Sequence, residues 1–152
     1  MAEINLRGLR DLDKTQYSWV EVVLADFNTF LSDHASAEKK ASGMALSMAS
    51  HYPDRPDILT AMTDLAIEEL AHYKQVINLI LNRGLIPQSD RKDTYVAELN
   101  RKARKGRDEF LLDRLLIAAL IERRGAERFE LIAHHLEDAQ LANFYRNLAK
   151  SE

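Results

Sequence analysis

Apolar residues recur at alternating three- and four-residue steps along most of the chain, and no stretch alternates residue by residue as a half-buried strand does. That pattern predicts helices. A first long helix is expected from Ser18 or Trp19 to about His51, stopped by Pro53 and Pro56 in HYPDRPD. Pro56 suits the first turn of a second helix running to Arg83, with Gly84 placed to end it. LIPQSD reads as a loop in which Ser89 or Asp90 caps a shorter helix, from about Lys92 to Ala103, closed by Gly106. A third long helix is expected from about Asp108 to His135, and a last segment from Asp138 onward. Four major helices, with a short one in the long connection, predict an all-α four-helix bundle in a single domain, 1–152.

The interior stripe of each major helix contains one acid. The first stripe runs Leu24, Phe27, Leu31, His34, Glu38, Ala41, Ala45, Met48, and the second runs Ile58, Met62, Leu65, Glu69, His72, Val76, Leu79. The third carries Glu122 between Ala118 and Gly125, and the last ends Leu141, Tyr145, Leu148, Glu152. A carboxylate buried without a partner takes up a proton or destabilises the fold. Several converging in one core need a strong positive charge between them, and a pair of divalent cations supplies it. Carboxylate oxygens together with imidazole suit iron or manganese.

Glu69 and His72 form a Glu-x-x-His pair, whose i, i+3 spacing turns both side chains toward one point. The general template for a two-metal bundle takes one Glu from each of two helices and Glu-x-x-His from each of the other two. Glu38 and Glu122 are then the single ligands. Glu38 precedes Glu69 by 31 residues and Glu122 precedes Glu152 by 30, as two similar helical hairpins would space them. The second pair is cut at Glu152: its histidine would lie three positions further on, so either a C-terminal tail supplies it or that ligand is lacking. His34, one turn before Glu38, is expected to hydrogen-bond a ligand and not to be one. Plainer readings stay open: Glu122 paired with Arg123 or Arg124, His134 and His135 capping a helix end, and Phe129 and Tyr145 as packing.

Composition narrows the chemistry. Cysteine is absent, which excludes disulfides, thiolate metal sites and Cys nucleophiles, and fits a reducing cytoplasm. The longest apolar run, Leu115 to Ile121, is far short of the roughly 20 residues of a membrane span. The first residues, MAEINLRGLRDLD, are polar and do not read as a signal peptide. Net charge is −3, but Arg91, Lys92, Arg101, Lys102, Arg104, Lys105 and Arg107 stand against only Asp93 and Glu98, a local +5 that leaves −8 for the remainder. Such a basic segment on an acidic body can track RNA phosphates, or can simply keep a short surface helix soluble.

The stretches DHASAEKKASGMALSMASHYPD, MTDLAIEELAHYKQVINLILNRGL and LIAALIERRGAERFELIAHHL resemble the MiaE family of tRNA hydroxylases, from about Trp19 to Glu152. The resemblance implies a ferritin-like bundle with metal ligands at Glu38, Glu69, His72 and Glu122, and Glu152 opening the second Glu-x-x-His. It also implies two iron ions, O2 as co-substrate, and an external electron donor such as a reductase or ferredoxin. The implied reaction is hydroxylation of the isopentenyl group of 2-methylthio-N6-isopentenyladenosine, beside the tRNA anticodon. Two other classes of function remain: iron oxidation, storage or peroxide scavenging on the same fold, and a metal-free helical interaction module.

Overall fold

The computed structural model describes residues 15–152, so the polar N-terminal stretch that does not read as a signal peptide lies outside the described residues. Among the described residues there are six helices and no strand: α1 (Tyr17–Ala25), α2 (Phe27–His51), α3 (Pro56–Asn82), α4 (Thr94–Lys102), α5 (Arg107–His135) and α6 (Ala139–Ser151). The chain divides into two compact units. One spans Asp26–Asp93; the other contains α1 and Thr94–Glu152. None of these helices is long and apolar enough to cross a membrane.

The first expected helix is in fact two. Asp26 leaves helical geometry (φ −141°, ψ 68°) and caps α2, its side chain accepting from the Thr29 amide at 3.2 Å and from Thr29 Oγ1 at 2.7 Å. Asp is among the best N-cap residues, and it wins here although the apolar pattern runs on across it. Leu24, expected in the interior stripe, is accordingly exposed on α1.

α2 and α3 pack as a hairpin over Leu31, Ala35, Ala45 and Met48 on one helix and Met62, Ala66, Val76 and Ile80 on the other. Ser42 Oγ donates to the Ala66 carbonyl at 2.8 Å, joining the helices where small residues let them approach. The expected stops hold. Pro56 opens α3, and Gly84 (φ 71°) closes it in a Schellman turn, with Gly84 N–H to Leu81 O at 2.9 Å and Leu85 N–H to Ile80 O at 3.2 Å.

An extended strap then runs back along α2. The Gln88 amide donates to Ser32 Oγ at 3.1 Å, Lys39 meets Asp90 at 2.8 Å, and Lys40 Nζ donates to the Arg91 carbonyl at 2.8 Å. Asp90 is thus engaged by Lys39 and caps nothing, and the short helix begins later than expected, at Thr94.

In the second unit α5 and α6 form another hairpin, turned at Asp138, whose side chain accepts from the Gln140 and Leu141 amides at 2.9 and 3.1 Å. Its core includes Phe129, Ile132, Leu141, Tyr145 and Leu148, with the Phe129 and Tyr145 rings 5.4 Å apart. Two arginines fasten the shorter helices to α5. Arg128 stacks over Trp19 of α1 at 4.6 Å, and Arg124 over Tyr95 of α4 at 4.2 Å.

Candidate metal centre

Two helical spacings on one hairpin build the site. On α2, His34 and Glu38 stand one turn apart; on α3, Glu69 and His72 do the same at i, i+3. All four are buried, with exposures of 5 % for His34, 5 % for Glu38, 3 % for Glu69 and 7 % for His72. Glu38, Glu69 and His72 each offer a ligand atom, and these atoms all lie within 4.8 Å of one another. The remaining acids of the expected set belong to the second unit. Glu122 is half-buried on α5, and Glu152 is half-buried at the end of α6.

Glu38 faces a different imidazole with each oxygen. Its Oε1 is 2.7 Å from His34 Nε2, and its Oε2 is 3.9 Å from His72 Nδ1. Burial, and then the neighbouring His72, hold the His34 imidazole down to about 3, so it is neutral at ordinary pH. A neutral ring beside a carboxylate donates through Nε2–H. His34 therefore fixes one oxygen of Glu38 by a hydrogen bond, as its position in the sequence suggests.

The donor chemistry fits a hard divalent cation: carboxylate oxygens from two helices and one imidazole, all withdrawn from water. Two donors on one ion, each at roughly 2.0–2.2 Å, stand up to about 4.4 Å apart. The ligand atoms, within 4.8 Å of one another, are set slightly wider than that limit. The cluster is compatible with a metal site.

The plainer readings sort cleanly. Arg124 lies on the Tyr95 ring, Arg123 is exposed, and among the described residues neither forms an ion pair with Glu122. His135 Nδ1 bonds the Leu131 carbonyl at 2.8 Å, a helix-end contact, while His134 is exposed. Phe129 and Tyr145 are packing.

The basic segment is shared between the units. Arg91 and Lys92 end the first; Arg101, Lys102, Arg104, Lys105 and Arg107 lie in the second. Arg91 forks onto Asp33 through Nε, at 3.1 Å, and Nη2. Arg104 holds Asp113 by Nε at 2.9 Å, Nη2 at 2.8 Å and its own amide at 2.9 Å. These hydrogen bonds, the side-chain ones first, hold the Asp113 carboxyl well below the usual carboxylate range. Arg101 is 3.7 Å from Glu98 in an exposed pair.

The model of one protein family, tRNA-(MS[2]IO[6]A)-hydroxylase (MiaE), matches residues 9–152. This chain belongs to the MiaE family. A MiaE relative, the tRNA 2-(methylsulfanyl)-N(6)-isopentenyladenosine(37) hydroxylase of Pseudomonas putida strain KT2440, is 39 % identical over 138 residues, 91 % of this chain and 67 % of the relative. Among solved structures, a Synechococcus protein described as having aldehyde deformylating oxygenase activity superposes with a TM-score of 0.87. It is 41 % identical, over 91 % of this chain and 69 % of its own. With all described residues helical or connecting, these likenesses give the chain the all-α, ferritin-like fold of the MiaE proteins.

Proposed function

We propose that the protein is an oxygen-dependent di-iron hydroxylase acting on the isopentenyl group of a hypermodified adenosine next to the tRNA anticodon. The observation that carries this is the buried meeting of Glu38, Glu69 and His72 on one hairpin of a MiaE-family chain. These three residues would hold an iron ion, and Glu122 and Glu152 are assigned to the metal pair on their spacing and on the family resemblance. Bound iron supplies the reductive activation of O2 that attack on an unactivated C–H bond demands and no side chain provides.

The protein's own part is to hold and to exclude. Glu38 and Glu69 bring negative charge that neutralises a cation, and His72 adds a neutral nitrogen donor. His34 keeps the Glu38 carboxylate oriented through its Nε2–H. Burial of all four side chains keeps water from the ligands. The electrons would come from an external reductase or ferredoxin, and a tRNA substrate fits a cytoplasmic reaction.

A second reading, oxygen chemistry on an aldehyde, is favoured by the description of the Synechococcus protein. One experiment separates the two. Iron-loaded protein with reductant and O2 is given prenylated tRNA and, separately, a fatty aldehyde. The proposal expects nucleosides one oxygen atom heavier on the isopentenyl group, with the aldehyde untouched. Aldehyde consumption with unmodified tRNA would replace it by the second reading.

A further inference from the structure

We propose that the C-terminal end of α4 and the link after it, through Lys102 and Lys105 with Arg101 beside them, is the surface that binds RNA phosphates, while Arg91 and Arg104 are taken up by ion pairs within the chain. This rests on the tRNA reading above. In the sequence all of these residues look equivalent; their partners in the structure divide them.

Arg104 gives two guanidinium hydrogen bonds and its backbone amide to one carboxylate, Asp113, and Arg91 forks onto Asp33. A guanidinium paired in this bidentate way is nearly neutral from a distance, and a phosphate would have to displace a well-placed carboxylate to use it. Lys102 and Lys105 are exposed and, among the described residues, have no ion-pair partner. Arg101 has only a loose, exposed contact with Glu98. Arg101 and Lys102 also close the last turn of α4, where the helix dipole favours cations.

The mount is firm. Tyr95, near the start of α4, lies under the Arg124 guanidinium, and Asn100, near its end, accepts from Arg114 Nη1 at 2.5 Å. Just beyond, Arg104 ties the chain to Asp113. The lysines therefore project from a backbone already fixed on α5, which lowers the ordering cost of binding. The two fastening residues, Arg114 and Arg124, have no carboxylate partner among the described residues and add to the positive field.

The same surface argues for a polyanion over an acidic protein. No exposed large apolar side chain lies between 94 and 105. Protein interfaces need such anchors at their centre, whereas contacts to phosphates need only placed cations.

The test is the salt dependence of binding between the full chain and a prenylated anticodon stem-loop. Each phosphate contact contributes roughly 0.7–0.9 to the slope of log affinity against log salt. Lys102→Gln and Lys105→Gln should each lower the slope by about that amount and together by about twice as much. Arg91→Gln and Arg104→Gln, with helicity checked by circular dichroism, should leave the slope at the wild-type value. A double lysine variant with the wild-type slope, from a wild type that hydroxylates the stem-loop, would overturn the surface and leave the function standing. So would an unchanged slope combined with slower electron delivery, which would mark the surface as a donor dock. A wild type that neither binds nor hydroxylates the RNA would overturn both.

Discussion

At the scale of single residues, the candidate site is organised around Glu38. Its carboxylate is buried, receives the neutral His34 on one oxygen, has His72 near the other, and shares a cluster with Glu69. Removing the His34 donor leaves a buried acceptor without its hydrogen bond, at a cost of about 1–3 kcal/mol. His34→Leu should therefore lower the free energy of unfolding measured in urea by that order, and His34→Gln, which can still donate, should recover part of it.

This cluster is legible in the amino-acid sequence because charge is conspicuous at apolar positions of a three-four pattern. The same register sets aside the exposed acid Glu68. The partners of Arg91 and Arg104 are not legible there. Asp33 lies 58 residues before Arg91, and Asp113 lies on α5 while Arg104 lies in the link that precedes it. Exposed ion pairs leave no periodic trace. Arg124 carries a misleading one: it lies two residues from Glu122 in sequence, yet its guanidinium stacks on Tyr95.

At the scale of elements, the helix stops follow from local chemistry. Gly84 adopts φ 71°, and a Cβ there would meet nothing within 4 Å. A Gly84→Ala penalty is then purely backbone, about 1–2 kcal/mol, and thermal unfolding should show it without any change in metal content. The Arg104–Asp113 pair fixes the link between α4 and α5. Because the Asp113 pKa is depressed when folded, its stabilisation is complete above the ordinary carboxylate pKa and disappears as the pH falls through about 2. Asp113→Asn should thus be less stable than wild type by a constant margin from pH 7 to about 4, narrowing only toward pH 2. Denaturant unfolding across that range checks it.

Element boundaries are legible wherever a breaker marks them, as at Pro56 and Gly84. The break at Asp26 is not, because the hydrophobic period flows across it and only the cap hydrogen bonds to Thr29 interrupt the helix. The apolar stripe of α5 overstates its burial for a related reason: Leu115, Ala118 and Glu122 are only half-buried. A long helix that also binds α1 and α4 through Arg128 and Arg124 divides its burial among several faces.

At the scale of the whole molecule, an acidic chain carries a basic segment, and only part of that segment is available to a partner. The family supplies the reaction class, and the α2–α3 hairpin supplies a buried Glu/His cluster compatible with a metal site, which the proposed function takes as the ligand set. The most direct measurement is the iron content of the full chain after anaerobic loading with Fe(II), wild type beside Glu69→Ala and His72→Ala. Iron should be bound by the wild type and lost from both variants, with helicity retained. Either variant holding as much iron as the wild type, or a wild type that hydroxylates tRNA while free of metal, would contradict this.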